Sequence, residues 1–443
     1  MLHRRTTAGC FILDDHYIAT MKPTALRTVI LFTILMMALP AFKGTVCAQI
    51  RHDYRNADQR ALGTPSQVEE NLVHLVDYLT ENIYEDRNKV RAIYRWITDR
   101  ITYDIHALNN PPDNWPSPDE VLHRRRAVCT GYAVLFDEMS RLAGLETELI
   151  IGHSKGLGTL TAGTTDFTPN HVWNAVKVDG HWALFDPTWG AGYITSGGFF
   201  IPAFNDFYFM ADPVKIVYTH LPEDPDWQLL VNPVSMKQYR EHVWVRVPFF
   251  RHRLSVISHR EAEITSYGEL QIRLGVPGDV IISAALKFDG NPVHGNHIIN
   301  YGGSDAQIDM SLNLRGMYTL EVYAREKESA DDRLELAMIY NINNTQTPVA
   351  NRMLARQYGR FLTSRGNLIS PRQYLLDEGQ HQFDIVVPGA RDVFVVNNDK
   401  LTALHRQGDR FYGTVPVISG DLRLAARFSG QDLDILVEYM VSL

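Results

Sequence analysis

The hydrophobic pattern changes its period near Pro248, and this change constrains the fold more than any other feature of the sequence. Upstream, apolar residues recur three or four positions apart, as in amphipathic helices. Downstream, they alternate with polar residues in short runs bounded by turn dipeptides such as Pro277-Gly278. We therefore predict an α+β domain over residues 49–247, a β-sandwich domain over 248–348 and a second β-rich domain over 349–443.

Start and stop signals outline the helices of the first domain. Ser66 to Glu69 has the form of a capping box and predicts an amphipathic helix that begins there. An apolar stripe predicts a second helix from about Asp86 to Arg100. Ser117 to Glu120 supplies an N-cap, a first-turn proline and a capping-box glutamate for a third. The stretch from Cys129 to Ala143 is again helical and Gly144 is placed to end it, so Cys129 lies at a helix N-terminus.

Weaker signals concern two other parts of the chain. The apolar run from Leu149 to Ile151 predicts a short buried strand, followed by a glycine-rich loop from Gly152 to Gly163. In the β-rich part, the segment from Val276 to Val280 resembles the segment from Val387 to Val393. This similarity leaves open whether the two β-rich domains are an internal repeat.

The N-terminal residues have the pattern of a secretory signal. Lys22 and Arg27 give it a positive start, Val29 to Leu39 is almost wholly apolar, and Val46-Cys47-Ala48 places small residues before a cleavage point at Gln49. The apolar run is shorter than the roughly 18 to 20 residues that span a bilayer, which favours a cleaved signal over a retained anchor.

Cleavage after Ala48 would make residues 1–48 a removable segment. It predicts a protein that is secreted or held in the periplasm or cell envelope, with no stable membrane span. Residues 1–20 fit no export signal, so Met21 is the expected start, with Met1 as the alternative.

Charge and cysteine content narrow the function. The net charge is −8, and removal of residues 1–48, with five basic and two acidic residues, would change it to −11. Such an acidic chain, whose only obvious basic run is Arg124 to Arg126, is a poor candidate for binding nucleic acid. Of Cys10, Cys47 and Cys129, only the last would remain, so no intramolecular disulfide could form. An unpaired cysteine in an exported protein is a candidate reactive thiol, the alternative being a buried small hydrophobe.

A predicted hairpin brings two polar residues together. Asp179-Gly180 is a strong hairpin signal, and with these two residues as the loop Val178 pairs with His181. In this register His171 and Asp186 are diagonal neighbours on the same face of the sheet. Such neighbours lie roughly 7 to 8 Å apart at Cα, close enough for an imidazole to bond a carboxylate.

A cysteine attacks carbonyl groups as its thiolate, which requires a lowered pKa, a general base and a group that orients the base. The helix N-terminus provides partial positive charge beside Cys129. We therefore predict a catalytic triad in which Cys129 is the nucleophile, His171 the base and Asp186 the orienting acid. A zinc site built from the same three residues is the alternative, although no second cysteine or paired-histidine motif supports it.

The triad residues lie in three motifs, Ala127-Val128-Cys129-Thr130-Gly131-Tyr132-Ala133, Asn170-His171-Val172-Trp173-Asn174 and Asp186-Pro187-Thr188-Trp189-Gly190-Ala191-Gly192-Tyr193. Together they resemble the transglutaminase-like superfamily, particularly its kyphoscoliosis peptidase-like branch, over roughly residues 65–230. The resemblance implies a papain/transglutaminase-like catalytic domain of α+β fold with the same three roles for Cys129, His171 and Asp186. Two β-sandwich-like domains would follow it.

These features predict an exported cysteine enzyme, a peptidase that acts on protein or peptide substrates through a thioester and needs no cofactor or metal. A protein-glutamine acyltransferase and a catalytically idle scaffold of the cell envelope are the alternatives. The sequence leaves open hydrolysis against transamidation, the oligomeric state and the role of the β-rich domains. Trp96 and Trp115 are candidates for a second oxyanion donor, whereas Trp173, Trp182 and Trp189 are expected to line the core or the cleft.

Overall fold

The computed structural model describes residues 52–156, 168–195, 197–346 and 352–442. The predicted signal, with its cleavage after Ala48, lies outside these residues, as does most of the predicted glycine-rich loop. No helix in the described ranges is both long enough and apolar enough to cross a membrane.

The helices concentrate in the first half of the chain. They are α1 Arg55–Leu62, α2 Leu72–Thr80, α3 Asp86–Arg100, α4 Ile105–Asn109, α5 Pro118–Arg124, α6 Cys129–Leu142, α7 Pro187–Ala191, α8 Pro213–Ile216, α9 Met236–Glu241, α10 Val247–Arg251 and α11 Gly359–Thr363. The predicted bounds of α3 are confirmed. The capping box at Ser117 and Glu120 forms in both directions at the start of α5.

The helix that was predicted to begin at the Ser66 capping box begins later in the structure, so the predicted start was wrong. Residues Val68–Glu70 form a 3₁₀ turn, and α2 begins at Leu72, where the Asn71 side chain accepts the His74 N–H. The Glu69 carboxylate does not cap a helix because it accepts hydrogen bonds from Trp96, Arg100 and Arg125. A tertiary network therefore overrides the local capping signal.

The strands of this half are β1 Thr102–Tyr103, β2 Arg126–Ala127, β3 Thr147–Ser154, β4 His171–Val178, β5 His181–Phe185, β6 Gly192–Ile194, β7 Phe200–Pro202 and β8 His220–Pro222. Four of them form an antiparallel sheet in the order β5-β4-β3-β8. Strand β3 continues to Ser154, so Gly152 lies in a strand and not in the predicted loop. Helix α6 packs against β3 and β4, with Tyr132 and Phe136 fully buried.

The second half is built of strands, as the change of period predicts. The first group is β9 Trp244–Val245, β10 Ser255–Val256, β11 Glu263–Ser266, β12 Glu269–Gly275, β13 Val280–Phe288, β14 Asn291–Val293, β15 His297–Gly302, β16 Asp305–Ser311, β17 Gly316–Glu326 and β18 Glu335–Asn344. The second is β19 Arg356–Gln357, β20 Asn367–Ser370, β21 Leu375–Asp377, β22 Gly379–Val386, β23 Asp392–Asn397, β24 Lys400–Ala403, β25 His405–Gln407, β26 Arg410–Val417, β27 Gly420–Arg427 and β28 Asp434–Ser442.

Both groups have the same topology. One sheet runs β10-β12-β16-β15 in the first group and β20-β22-β26-β25 in the second. The other runs β11-β18-β17-β13-β14 and β19-β28-β27-β23-β24, with β9 and β21 as additional partners of β18 and β28. In each group one early strand pairs parallel and another antiparallel with the last strand. The predicted fold class is confirmed. The same β-sandwich topology occurs twice in the chain.

The similarity between the two sequence segments has a structural explanation. Each segment is the turn that joins corresponding strands, β12 to β13 and β22 to β23. The Val280 N–H donates to the Pro277 carbonyl in the first turn, and the Ala390 N–H donates to the Val387 carbonyl in the second. The two hydrogen bonds start one position apart and only Gly389 has a positive φ, so the turns differ in conformation although they occupy equivalent places in the two sandwiches. The domain boundaries near Pro248 and Pro348 stay predictions.

Side chains of the second sandwich form hydrogen bonds with backbone atoms of the first. The Arg365 guanidinium donates to the carbonyls of Val276, Pro277, Val280 and Gly303. The Gln357 side chain accepts from the Ile299 N–H at 2.8 Å and donates to the Ile299 carbonyl at 3.0 Å. These contacts fix how one sandwich follows the other.

Candidate active site

Cys129 is the first residue of α6, and the first turn of this helix lies close to strand β2. The preceding Val128 is extended, and the helix then passes so near the strand that a Cβ on Gly131 would lie 2.5 Å from the Ala127 Cβ. Glycine at this position therefore lets the helix start directly after β2. The thiol lies at a helix N-terminus, where backbone dipoles favour negative charge.

The predicted hairpin register is confirmed. Val178 pairs with His181, and Asp179 and Gly180 have positive φ values of 50° and 80°, as a type I′ turn requires. His171 is the first residue of β4, and Asp186 follows β5 as the N-cap of α7. The type I′ turn thus determines on which face of the sheet the two candidate residues, His171 and Asp186, lie.

The structure brings the three predicted residues together. The His171 Nε2 lies 2.8 Å from the Asp186 Oδ2, and both side chains are buried. His171 and the Val172 backbone N–H both lie close enough to the Cys129 sulfur to lower the pKa of the thiol. Because Nε2 faces the carboxylate, Nδ1 is the nitrogen that exchanges a proton with sulfur.

The electrostatics of the site favour an ion pair. Burial opposes ionisation of Cys129, but the hydrogen bond to His171 and its charge lower the pKa of the thiol overall. Burial also opposes ionisation of His171 and Asp186, yet their attraction raises the pKa of His171 and lowers the pKa of Asp186. These shifts favour a thiolate beside an imidazolium held by a carboxylate over the neutral pair of side chains.

A second histidine, His220, reaches the same carboxylate, and the sequence argument missed it. His220 begins β8, and its Nε2 lies 2.9 Å from the Asp186 Oδ2. The Thr219 Oγ1 lies 2.9 Å from the His220 Nδ1. The Asp186 Oδ1 accepts the Trp189 N–H at 3.0 Å, so three donors hold one carboxylate. No spacing rule relates His220 to the hairpin, because β8 joins the sheet through β3 and not through a local turn.

Aromatic side chains enclose the polar cluster. The Trp173 ring stacks on His171 with centroids 5.9 Å apart, and Trp189 packs against both histidines. Trp182 instead packs edge-on against Trp227. These positions agree with the expectation of core and cleft walls. The proposal of Trp96 as an oxyanion donor was wrong, because its indole N–H donates to Glu69 at 2.9 Å.

The cluster of His171, Asp186 and His220 has the residue types of a metal site, with donor atoms within 4.8 Å of one another. Its Nε2 and Oδ2 atoms are 2.8 and 2.9 Å apart, which are hydrogen-bond distances. Ligands of tetrahedral zinc at about 2.0 Å would lie roughly 3.3 Å from one another. The donors therefore satisfy each other, and this arrangement favours an acid–base site over a zinc site.

Comparison with known proteins identifies two parts of the chain. Residues 73–187 match the family model of the transglutaminase-like superfamily, and residues 236–354 match that of the KY-like, immunoglobulin-like domain. The chain is 30% identical to kyphoscoliosis peptidase of Homo sapiens over 257 residues, which are 57% of this chain and 38% of that protein. For the protein of the same name in Mus musculus the identity is 29%, over 58% of this chain and 39% of that protein.

Hillarin of Drosophila melanogaster is similar over a longer stretch. The identity is 23% over 422 residues, which cover 88% of this chain and 47% of hillarin. The chain thus spans less than half the length of each of these three relatives.

Proposed function

Since residues 73–187 belong to the transglutaminase-like superfamily and the chain is of the kyphoscoliosis peptidase-like branch, we propose that it is a cysteine peptidase. The observation that carries the proposal is the buried His171–Asp186 hydrogen bond of 2.8 Å, beside the Cys129 thiol at a helix N-terminus, whose pKa His171 lowers. This arrangement supplies nucleophile, base and orienting acid in one place.

The reaction proceeds in two steps. The Cys129 thiolate attacks the carbonyl carbon of a peptide bond, and the C–S bond forms as the C–N bond breaks. His171 gives its proton to the leaving amine, and a thioester and a neutral imidazole remain. His171 then removes a proton from water, whose oxygen attacks the thioester carbonyl. The C–S bond breaks, the carboxylic acid product leaves, and the thiolate–imidazolium pair is restored. A primary amine in place of water would give transamidation, which is the alternative activity.

Exposed apolar residues on the β6–β7 hairpin, which contacts Tyr103, support a polypeptide substrate. Tyr103, which senses the charge of Cys129, faces Phe200 of the β6–β7 hairpin at 6.0 Å between ring centroids. The same hairpin exposes Tyr193 and Phe199, by 51% and 71%. In the proposed complex, an extended peptide enters beside Cys129 and covers these rings with its own apolar side chains.

The test uses β-casein as a polypeptide that offers both peptide bonds and glutamines. We expect new casein N-termini with the wild type and none with Cys129→Ala, measured by mass spectrometry. Adding a dansylated primary amine in the same assay separates the alternatives. Amine incorporation without new termini would make the protein an acyltransferase. Neither product, with an unreactive Cys129, would favour the idle scaffold.

We also propose that the protein is exported, on the basis of the signal pattern that ends at Ala48. The expected mature protein begins at Gln49. The N-terminus is tested by the intact mass of the protein, recovered from the culture medium or the envelope fraction of an expressing host. A mass that retains residues 21–48 would contradict cleavage.

A further inference from the structure

We propose that His220 is a positioning residue that holds the Asp186 carboxylate against His171 and so sets the charge state of the Cys129–His171 pair. The inference rests on the proposed function, because it concerns the same site. It extends the triad to four side chains, of which His220 acts only through Asp186.

The hydrogen bonds of His220 determine its tautomer. A carboxylate only accepts hydrogen bonds, so the His220 Nε2 must carry a proton that it donates to Asp186 at 2.9 Å. Nδ1 then has a free lone pair, which accepts the Thr219 hydroxyl at 2.9 Å. Burial lowers the pKa of His220 despite the neighbouring carboxylate, which agrees with a neutral ring. The carboxylate therefore sets the tautomer, and the threonine hydroxyl completes the hydrogen bonds of the ring.

Three hydrogen bonds orient the Asp186 carboxylate. A carboxylate that is bonded only to His171 could rotate about its side chain. Here the Trp189 N–H holds Oδ1, and His171 and His220 both hold Oδ2. The three donors come from α7, β4 and β8, which are separate elements of the fold. Removal of His220 leaves the carboxylate oxygen with one donor fewer in a fully buried position.

Asp186 is the main charged neighbour of His220. The titratable groups that face it are Asp186, His171 and Tyr208, and the nearest neutral rings are those of Trp173 and Trp189. No described group among these other than Asp186 carries a negative charge at neutral pH. Any change in the bond between His220 and Asp186 is therefore transmitted to His171 and, through it, to the thiolate.

The test measures the rate of Cys129 alkylation by iodoacetamide against pH. In the wild type, the rate falls as pH drops through the lowered pKa of Cys129, because the thiolate is then protonated. In His220→Phe, a less firmly held Asp186 stabilises the imidazolium less, so the pKa of Cys129 rises. We expect the acid limb of the profile to move to higher pH by about one unit, corresponding to a roughly tenfold slower reaction on that limb.

A matched variant separates positioning from packing. The Nε2 of glutamine reaches the place of the histidine Nε2 and donates a hydrogen bond, so His220→Gln is expected to restore the wild-type midpoint. A purely structural role would lower the fraction of folded protein and hence the amplitude, without moving the midpoint. The proposal is overturned if His220→Phe is folded, as judged by circular dichroism, and keeps the wild-type midpoint.

The same measurement distinguishes this proposal from the proposed function. If wild-type Cys129 shows the pKa of a free thiol, the thiolate–imidazolium pair does not exist and both proposals fall. If the wild-type profile shows a lowered pKa of Cys129 but no casein product forms, the peptidase assignment is wrong. The role of His220 is then still decided by the labelling profiles of His220→Phe and His220→Gln.

Discussion

Replacing Asp186 by asparagine is expected to reduce turnover by roughly ten-thousandfold, the loss that an orienting carboxylate can cause in such a triad, while the fold persists. The reason lies in the Trp189 N–H, which requires an oxygen at the Oδ1 position. The asparagine NH₂ must then occupy the Oδ2 position, where it faces both imidazoles. His171 has to accept from it through Nε2, and its single proton moves to Nδ1, facing the sulfur. A base in that tautomer cannot take the thiol proton.

The same substitution leaves the hydrogen bonds of the core satisfied. His220 can also accept the amide through Nε2, because its proton can move to Nδ1 and the Thr219 hydroxyl can rotate to accept it. We therefore expect a melting temperature close to that of the wild type and a strongly reduced rate of Cys129 labelling. Asp384→Asn is the matched control, since it removes a buried carboxylate that pairs with Arg410 in the second sandwich.

Two outcomes would contradict this account of Asp186. Unchanged labelling in a folded Asp186→Asn protein would remove the residue from the triad. A collapse of the melting temperature that Asp384→Asn does not show would assign Asp186 a structural role instead.

Local signals predicted the part of the site that depends on local structure. Asp179-Gly180 set the hairpin register, and this register alone placed His171 and Asp186 on one face. The helix that starts at Cys129 could also be predicted, because its apolar stripe and terminal glycine lie within one stretch of sequence. Such features depend on residues that are neighbours in the chain.

The features that escaped prediction depend on distant contacts. Ser66 and Glu69 formed no capping box because Trp96 and two arginines engage the glutamate. His220 could not be placed because its strand pairs with β3 across more than sixty residues of sequence. The repeat of the sandwich was visible only as a weak similarity of two turns, since a shared topology does not require shared side chains.

Gly152→Ala is expected to destabilise the protein and disturb the active site together. Gly152 lies in β3 between the strands of the two histidines, paired with His171 on one side and Pro222 on the other. A Cβ at this position would lie 2.3 Å from the Leu221 carbonyl oxygen and 2.6 Å from the Trp173 ring. Backbone cannot give way as a flexible side chain does, so β8 must move away from β3.

The free energy of unfolding is expected to fall by about 1–3 kcal/mol, as for other overpacked cores. Because β8 carries His220, its displacement also lengthens the bond to Asp186, and the acid limb of the Cys129 labelling profile should move to higher pH. Gly278→Ala is the control, since a Cβ there meets nothing within 4 Å. Thermal unfolding and labelling measured on both variants test the coupling. A destabilised Gly152→Ala protein whose folded fraction labels with the wild-type profile would show that the close approach of β8 supports the fold but not the site.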